Sequence, residues 1–592
     1  MSQSVLYNKS INSDIPILEI KVFKRKLRIY IGVSLLLFFV LIVICIVLIL
    51  LWLGIINKKP IDFAKQKIET KCGPIEGNIN DGILEFLGIP YAFPPIDRRR
   101  FTHAQEIVDK KGCQEVYRNL NHPYPAKSYK SPCVQYEKDS HKIIGSENCL
   151  YLNVYVPSKA IDKKLPVIFI VSGLFFSYGS GNMEGFTVTP DVVKITQSIH
   201  VTSNYRLGPM NSIINPQTNE TNHGLSDELL ALTWIHKNIA AFGGDQSNII
   251  LYGVGSGSTV ALALSNSIKA IRLFSKIWIS NPMTLVTKTL NDALKVQQSY
   301  LGDIKKSEIF QDTLKLDMIF QPWNWTNIES IIDNRYFNFP TPNKAKYTND
   351  SIYFLLIDND FINDGNILKR LRVNHNIPIV IGNCANEVDI FPSPNSVRYW
   401  QADYFNDFIK LKMKPFGRVV NDVFLDTFRK NYVTDSILTI EEGYTRAVTD
   451  IRITCPLNSI LKKLMALSNW HPIYRYILED KHKPIDYFNM KYSNELAAYG
   501  WDNILYFHGY KSHLDYGAYG EKEISMSKVL NKAMREFAWN GELKDFSASK
   551  DGYVMMNLIK NGQVYRECYL KTNECNFWEK ELGNIEEFSW II

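Results

Sequence analysis

The sequence predicts an α/β chain in which a large, mostly parallel central sheet carries helices on both faces and is preceded by one transmembrane helix. Three observations predict it. The first is a run from Ile29 to Ile56 without a charged residue. The second is a set of short, continuous apolar runs, Leu165–Val171, Ile249–Tyr252 and Ile377–Ile381, as buried strands require. The third lies between the first two of these: Leu229, Leu230, Leu232, Ile235 and Ile239 recur at helical spacing within 227–239. Strands separated by helices build a parallel sheet covered on both faces.

The uncharged run comes first in the chain. As a helix it is about 42 Å long at about 1.5 Å per residue. A bilayer core of about 30 Å needs about 20 apolar residues, so the run can span one. The apolar segment of a cleaved signal peptide is shorter, about 7–15 residues, and no small-residue cleavage pattern follows here. Much of the formal net charge of +7 sits in residues 1–28, where Lys9, Lys21, Lys24, Arg25, Lys26 and Arg28 face only Asp14 and Glu19. That cluster outweighs Lys58 and Lys59 beyond the run and holds the N-terminus in the cytoplasm.

The expected organisation is therefore a cytoplasmic tail over 1–28, a membrane helix over 29–56, a stalk over 57–70 and an outer domain over 71–592. This is a single-pass type II arrangement, in the plasma membrane or an internal membrane of the secretory pathway. All nine cysteines except Cys45 follow the run, and glycosylation sequons begin at Asn219, Asn324 and Asn349, which suits an outer location. Hydrophobic residues make up 46% of the chain and charged residues 21%, a globular balance rather than a disordered one. Beyond the tail no basic stripe remains for nucleic acid. No HExxH, CxxC pair, P-loop or strand-linked GxGxxG occurs, so neither a metal nor another cofactor is expected.

Several ordered motifs resemble those of the type-B carboxylesterase and cholinesterase family. They are Phe86-Leu-Gly-Ile-Pro-Tyr-Ala-Phe-Pro-Pro95 with Arg100-Phe101, Ser146-Glu-Asn-Cys-Leu-Tyr-Leu-Asn-Val-Tyr155, Asn204-Tyr-Arg-Leu-Gly208, Gly224-Leu-Ser-Asp227 through Ala241-Phe-Gly-Gly-Asp245, Cys455-Pro456, Phe537-Ala-Trp-Asn-Gly541 and Cys575-Asn-Phe-Trp578. The resemblance runs from about residue 70 to the C-terminus and implies an α/β-hydrolase fold. It also implies acyl-transfer chemistry, which needs a serine on a strand–helix turn, a histidine base, an orienting acid and backbone N–H donors for the oxyanion.

Set against that pattern, the nucleophile turn reads Gly253-Val-Gly-Ser-Gly-Ser258, and the serine position falls on Gly255. Glycine tolerates a strained turn but brings no oxygen to attack a carbonyl. Ser256, one place later, is the rival nucleophile, although Val254 and Ser258 stand where a G-x-S-x-G centred on it needs glycine. The oxyanion loop, glycine-rich in the family, reads Gly173-Leu174-Phe175 here, with Ser256 as the further donor position. Large side chains there crowd the substrate, and each lost donor is worth about 2.7–4 kcal/mol of barrier. Glu387 falls at the acid, after the strand 377–381. His508, in Phe507-His-Gly509, is the base position, with His513 as an alternative alignment. The residue three after the base is usually acidic in the family, and three after His508 stands Lys511. The family's choline-site tryptophan is replaced by Asp139.

The scaffold parts are retained. The resemblance implies disulfides Cys133–Cys149 and Cys455–Cys575 and a buried ion pair between Arg100 and Glu147. Cys72 and Cys113 are a third candidate pair on spacing, and Cys384 and Cys568 are either free or paired with each other. The reading that results is a catalytically inactive member of the cholinesterase-like adhesion branch, which binds an extracellular protein ligand and forms a homodimer as relatives do. The alternatives are a divergent membrane-anchored carboxylic-ester hydrolase and a carrier that holds a small ligand in the remnant gorge.

Overall fold

A computed structural model describes residues 17–52, 66–118, 122–137, 142–158, 164–215, 217–301, 320, 354–370, 377–389, 400–433, 439–465, 472–485, 494–513, 520–549, 553–567 and 571–589. The chain divides into two compact units, residues 1–60 and 61–592.

In the first unit, helix α1 (Ile17–Trp52) contains the uncharged run. Its stretch Tyr30–Val47 has a mean hydropathy of 3.1, none of it is buried, and it is long and apolar enough to cross a membrane. The helix begins well inside the segment expected as tail. Between Ile17 and Arg28 there is neither glycine nor proline, and Leu, Lys and Arg are good helix formers, so nothing stops it from extending.

In the second unit an 11-stranded sheet forms the frame. Its strands in chain order are β1 (Asn78–Asn80), β2 (Ile83–Pro90), β3 (Tyr151–Pro157), β4 (Leu165–Gly173), β5 (Ile199–Ser203), β6 (Gly244–Gly255), β7 (Lys276–Ser280), β8 (Ile379–Cys384), β9 (Ile473–Leu478), β10 (Met556–Lys560) and β11 (Gln563–Glu567). They lie side by side as β11-β10-β9-β8-β7-β6-β4-β5-β3-β2-β1. The six central pairings, from β10 to β5, are parallel, and both margins are antiparallel. Every residue of β4 is buried, which is why its sequence is a continuous apolar run rather than an alternation.

Helices cover both faces. Helices α2 (Pro190–Thr196), α6 (Trp501–Phe507) and α7 (Glu521–Asn540) pack together on one, with α7 against β4. Helices α3 (His223–Asn238) and α4 (Ser256–Asn266) pack together on the other, with α4 against β4, β6 and β7. Helix α5 (Asp422–Tyr432) meets the C-terminal α8 (Thr572–Leu582) through rings such as Phe424 and Phe577, 5.1 Å apart.

Three expected boundaries move. The stalk over 57–70 is shorter, because Lys67–Thr70 is a strand paired antiparallel with Gly73–Glu76, and buried Ile68 faces buried Ile75. The strand expected from Ile377 starts at Ile379, after Pro378, which has no N–H to give the ladder. The helix expected over 227–239 starts earlier, at His223.

The disulfides join Cys72 to Cys113, Cys133 to Cys149 and Cys455 to Cys575, with Cα atoms 5.2, 4.9 and 5.2 Å apart. Cys384 is a buried free thiol, and Cys568 lies outside the described residues. Arg100 and Glu147 form a bidentate, buried pair. A second buried pair, absent from the sequence reading, joins Arg206 to Asp227 at 2.6 and 2.9 Å. It ties the loop after β5 to α3, and stripping one partner from such a pair typically costs about 3–5 kcal/mol.

Candidate functional site: the turn after the central strand

Strands β4 and β6 lie side by side and end together, Gly173 opposite Gly255. Gly255 closes β6 and caps α4 with φ 59° and ψ −128°. That backbone is close to glycine-only, so the sharp turn is kept. Space selects glycine as well. A Cβ on Gly255 would collide with the Gly173 carbonyl and lie 2.7 Å from the Tyr499 hydroxyl and 3.4 Å from Leu174 Cδ2.

The loop after β4 closes over this turn. Phe175 and Phe176 both have left-handed φ, 52° and 55°, a strain that bulky residues seldom bear. Packing holds them there. The Phe175 ring stacks on Tyr499 with centroids 5.2 Å apart, and Phe176 stacks on Phe354 at 5.8 Å. Leu174, Phe175, Phe176 and Tyr499 are all buried. The Leu174 N–H donates to the Tyr178 carbonyl at 2.7 Å, and the Phe176 N–H donates to Ser256 Oγ at 3.0 Å. The N–H of Leu174, an expected oxyanion position, is thus spent within the protein, as is that of its neighbour Phe176. Ser256 itself is fully buried in the first turn of α4, its hydroxyl engaged by that same loop.

Glu387 follows β8 and is fully buried. Its Oε1 accepts from the Cys384 N–H, and Oε2 has no hydrogen-bond partner among the described residues. Burial first, then the nearby Asp502 carboxylate, pushes its pKa well above the usual carboxylate range. Asp502 is also raised by burial, although Ser280 and Tyr476 hydroxyls donate to it.

His508 does not join this group. It sits at the C-terminal end of α6, where Nδ1 faces Asp191 at 3.7 Å and Nε2 faces Asn531 Nδ2 at 3.4 Å. The residue beside Gly255 is Tyr499, whose N–H donates to the Glu387 carbonyl at 3.2 Å. The structure thus sets Tyr499, and not His508, beside the turn. The seven residues of α6, about 10 Å of helix, separate the two places. The residue three after Tyr499 is Asp502, the acid missing three after His508. The side chain of His513 lies outside the described residues.

Chemically, the centre is a packed joint. Among the described residues it offers a buried carboxyl group and a tyrosine, no imidazole and, at Gly255, no side chain. Of the sequon asparagines, Asn219 is exposed, with its Thr221 hydroxyl bonded to the Ser212 carbonyl, whereas Asn324 and Asn349 lie outside the described residues. Among the described residues no group of three His, Cys, Asp or Glu side chains could hold a metal ion.

Against known proteins, the Carboxylesterase family matches residues 64–578. Neurotactin of Drosophila melanogaster is 26% identical over 412 residues, 66% of this chain and 44% of that protein. A carboxylic ester hydrolase of Bombus ignitus is 32% identical over 228 residues, 36% of this chain and 38% of its own length. The cAMP-regulated D2 protein of Dictyostelium discoideum is 32% identical over 260 residues, covering 41% and 45% of the two chains. The chain thus aligns with less than half the length of these relatives. Among solved structures, a PNB esterase superposes with a TM-score of 0.61 at 20% identity, covering 87% of this chain and 99% of its own. A thermophilic PNB esterase gives a TM-score of 0.63, at 20% identity and the same coverage. An α/β-hydrolase sheet matched across nearly a whole esterase, with the family motifs in order along it, places this chain in the carboxylesterase family.

Proposed function

We propose that this chain is a membrane-anchored, non-hydrolytic member of its family, whose outer domain works by recognising another protein. The observation that carries the reading is the state of the turn after β6. Gly255 supplies no nucleophile, and Phe175 and Tyr499 fill the space a substrate carbonyl would need. The buried pairs and disulfides of the scaffold are kept around this closed centre, as expected of a domain used for its surface. Similarity to neurotactin and the resemblance to the serine-less adhesion branch support the same reading. The filled space also argues against a carrier with a ligand in the gorge. Helix α1, with its basic N-terminal flank, would anchor the protein in type II orientation at the plasma membrane, with a homodimer as one form of the bound state.

The test is fluorophosphonate labelling and short-chain aryl-ester turnover with the full chain in nanodiscs, beside capture of cell-surface proteins by the same particles. The expected result is no labelled serine, no turnover, and capture of a protein partner that Glu387→Gln leaves unchanged. Stoichiometric labelling of any serine overturns the non-hydrolytic reading.

A further inference from the structure

Helix α1 extends well beyond the stretch that is apolar enough to cross a membrane. It runs without a break from Ile17 to Trp52, so residues 17–28 continue the axis of Tyr30–Val47. Tyr30 and Trp52 lie about 33 Å apart along that axis. Anchored as proposed above, the helix sets these two rings at the two faces of a bilayer core of about 30 Å, where amphipathic aromatic residues collect. In that register Arg28 lies about 3 Å outside the core and Lys21 about 13 Å outside it.

Residues 17–28 hold five basic residues, Lys21, Lys24, Arg25, Lys26 and Arg28, and one acid, Glu19. Orientation in the membrane depends on the number of such charges near the span, not on their phase around the helix. Their phase is ordered all the same. At 3.6 residues per turn, positions 21, 24, 25 and 28 fall within about 100° of the helix circumference. Position 19, the acid, falls on the opposite side, and Ile20, Phe23 and Leu27 share a separate face about 60° wide. Four basic positions thus form a stripe that climbs about 10 Å along the axis, with no acidic position on its face.

Height and charge together select the ligand. The headgroup layer beside the core is about 5–8 Å deep, so the stripe begins inside it and rises beyond it. Phosphatidylserine presents its charge at one level. A polyphosphorylated inositol lipid has a diester at the level of the other headgroups and ring phosphates that stand further out, each carrying about −1.5 to −2 charges. We propose that Lys21, Lys24, Arg25 and Arg28 bind one polyphosphoinositide headgroup of the cytoplasmic leaflet. Arg28 takes the diester, and Arg25, Lys24 and Lys21 take the ring phosphates in order of height. Arg meets a phosphate with paired N–H donors and Lys meets it as a point charge. An acidic protein groove would have to close around a helix whose lower end is already set in the headgroup layer. The inference rests on the inward orientation of the N-terminus and not on the state of the turn at Gly255.

The experiment places the full chain in phosphatidylcholine nanodiscs that also hold phosphatidylserine or phosphatidylinositol bisphosphate, matched in surface charge. Native mass spectrometry then counts the lipids that stay on the chain in detergent. The expected result is one retained bisphosphate lipid, preferred about tenfold or more over phosphatidylserine. Lys24→Gln and Arg25→Gln should each weaken retention about fivefold, as expected for one basic group at an anionic surface. The decisive variant exchanges neighbours, Lys21→Val with Val22→Lys and Phe23→Lys with Lys24→Phe. It keeps composition and net charge but moves two cations off the stripe, and it should abolish the preference. Equal retention of the two anionic lipids, no retention, or a preference that the exchange leaves intact overturns the proposal. So does capture of calcium-loaded calmodulin without lipid preference. Both leaflets of a nanodisc carry the lipids, so retention there does not depend on orientation. Orientation is read separately, by antibody against an N-terminal tag in intact and permeabilised cells. A tag reached in intact cells overturns the type II reading and this site together, whereas an inward tag without lipid retention overturns the site alone.

Discussion

The two ends of helix α6 differ as a packed joint differs from an open cleft. At its start, Tyr499 and Phe175 stack over Gly255, and the polar groups that survive, Glu387 and Asp502, are sealed from water. At its end, His508 and Asp191 face each other across a gap, beside an open cavity. The same short element therefore supports a region whose energy lies in packing and one held by charged groups at an open surface. Such regions respond oppositely to substitution: the first resists any change of volume, and the second tolerates it.

Four measurements sharpen that contrast. The largest effect belongs to Gly255→Ser. It forces a side chain into left-handed backbone and against Gly173 and Tyr499, and strain plus overpacking should cost about 2–6 kcal/mol. Denaturant titration reads the loss, and aryl-ester turnover should stay at background, since His508 is turned to Asp191 and Asn531. Turnover by this single variant would show that the centre is open after all. Next, Tyr499→Ala removes one half of the stack and leaves a void, for about 3–5 kcal/mol by the same titration.

The third concerns the pH response of the sealed interior. Burial raises Glu228 to about 8 from 4.5, while the Ser203 hydroxyl bonds its carboxyl oxygens. Folded Glu228 thus keeps a proton that the unfolded chain releases, so the native state loses stability as pH rises from about 4.5 to about 8. Glu228→Gln should remove that slope, raising the melting temperature at pH 8 and leaving it little changed near pH 4.5. His200 acts in the opposite sense. Burial lowers it to about 4 from 6.5, so stability falls as pH drops through that interval. The smallest effect is expected at the cleft. Lys511→Gln breaks a half-exposed ion pair with Asp191 and should change stability by less than about 1 kcal/mol.

What the sequence revealed followed from how local each feature is. Gly255 and the loop Gly173–Phe175 were legible because a turn is specified by its own few residues. The disulfides Cys133–Cys149 and Cys455–Cys575 and the Arg100–Glu147 pair were legible through the family resemblance, and Cys72–Cys113 through spacing alone. Tyr499 beside Gly255 was not, because nothing in its own few residues marks it as a neighbour of that turn. Its stacking on Phe175 joins residues far apart in the chain, and no periodicity encodes such a contact. The Arg206–Asp227 pair was overlooked for a similar reason: each member lay in a noted motif, but only the fold sets them face to face.

The bridge from Cys455 to Cys575, a sequence separation of 120, decides what a proteolytic nick does to the chain. A protease that cuts the chain once between those residues does not release the C-terminal helix. Both pieces stay covalently joined, migrate as one band until a thiol is added, and keep α8 against α5. Damage to this surface is therefore silent in any assay that omits a reducing agent.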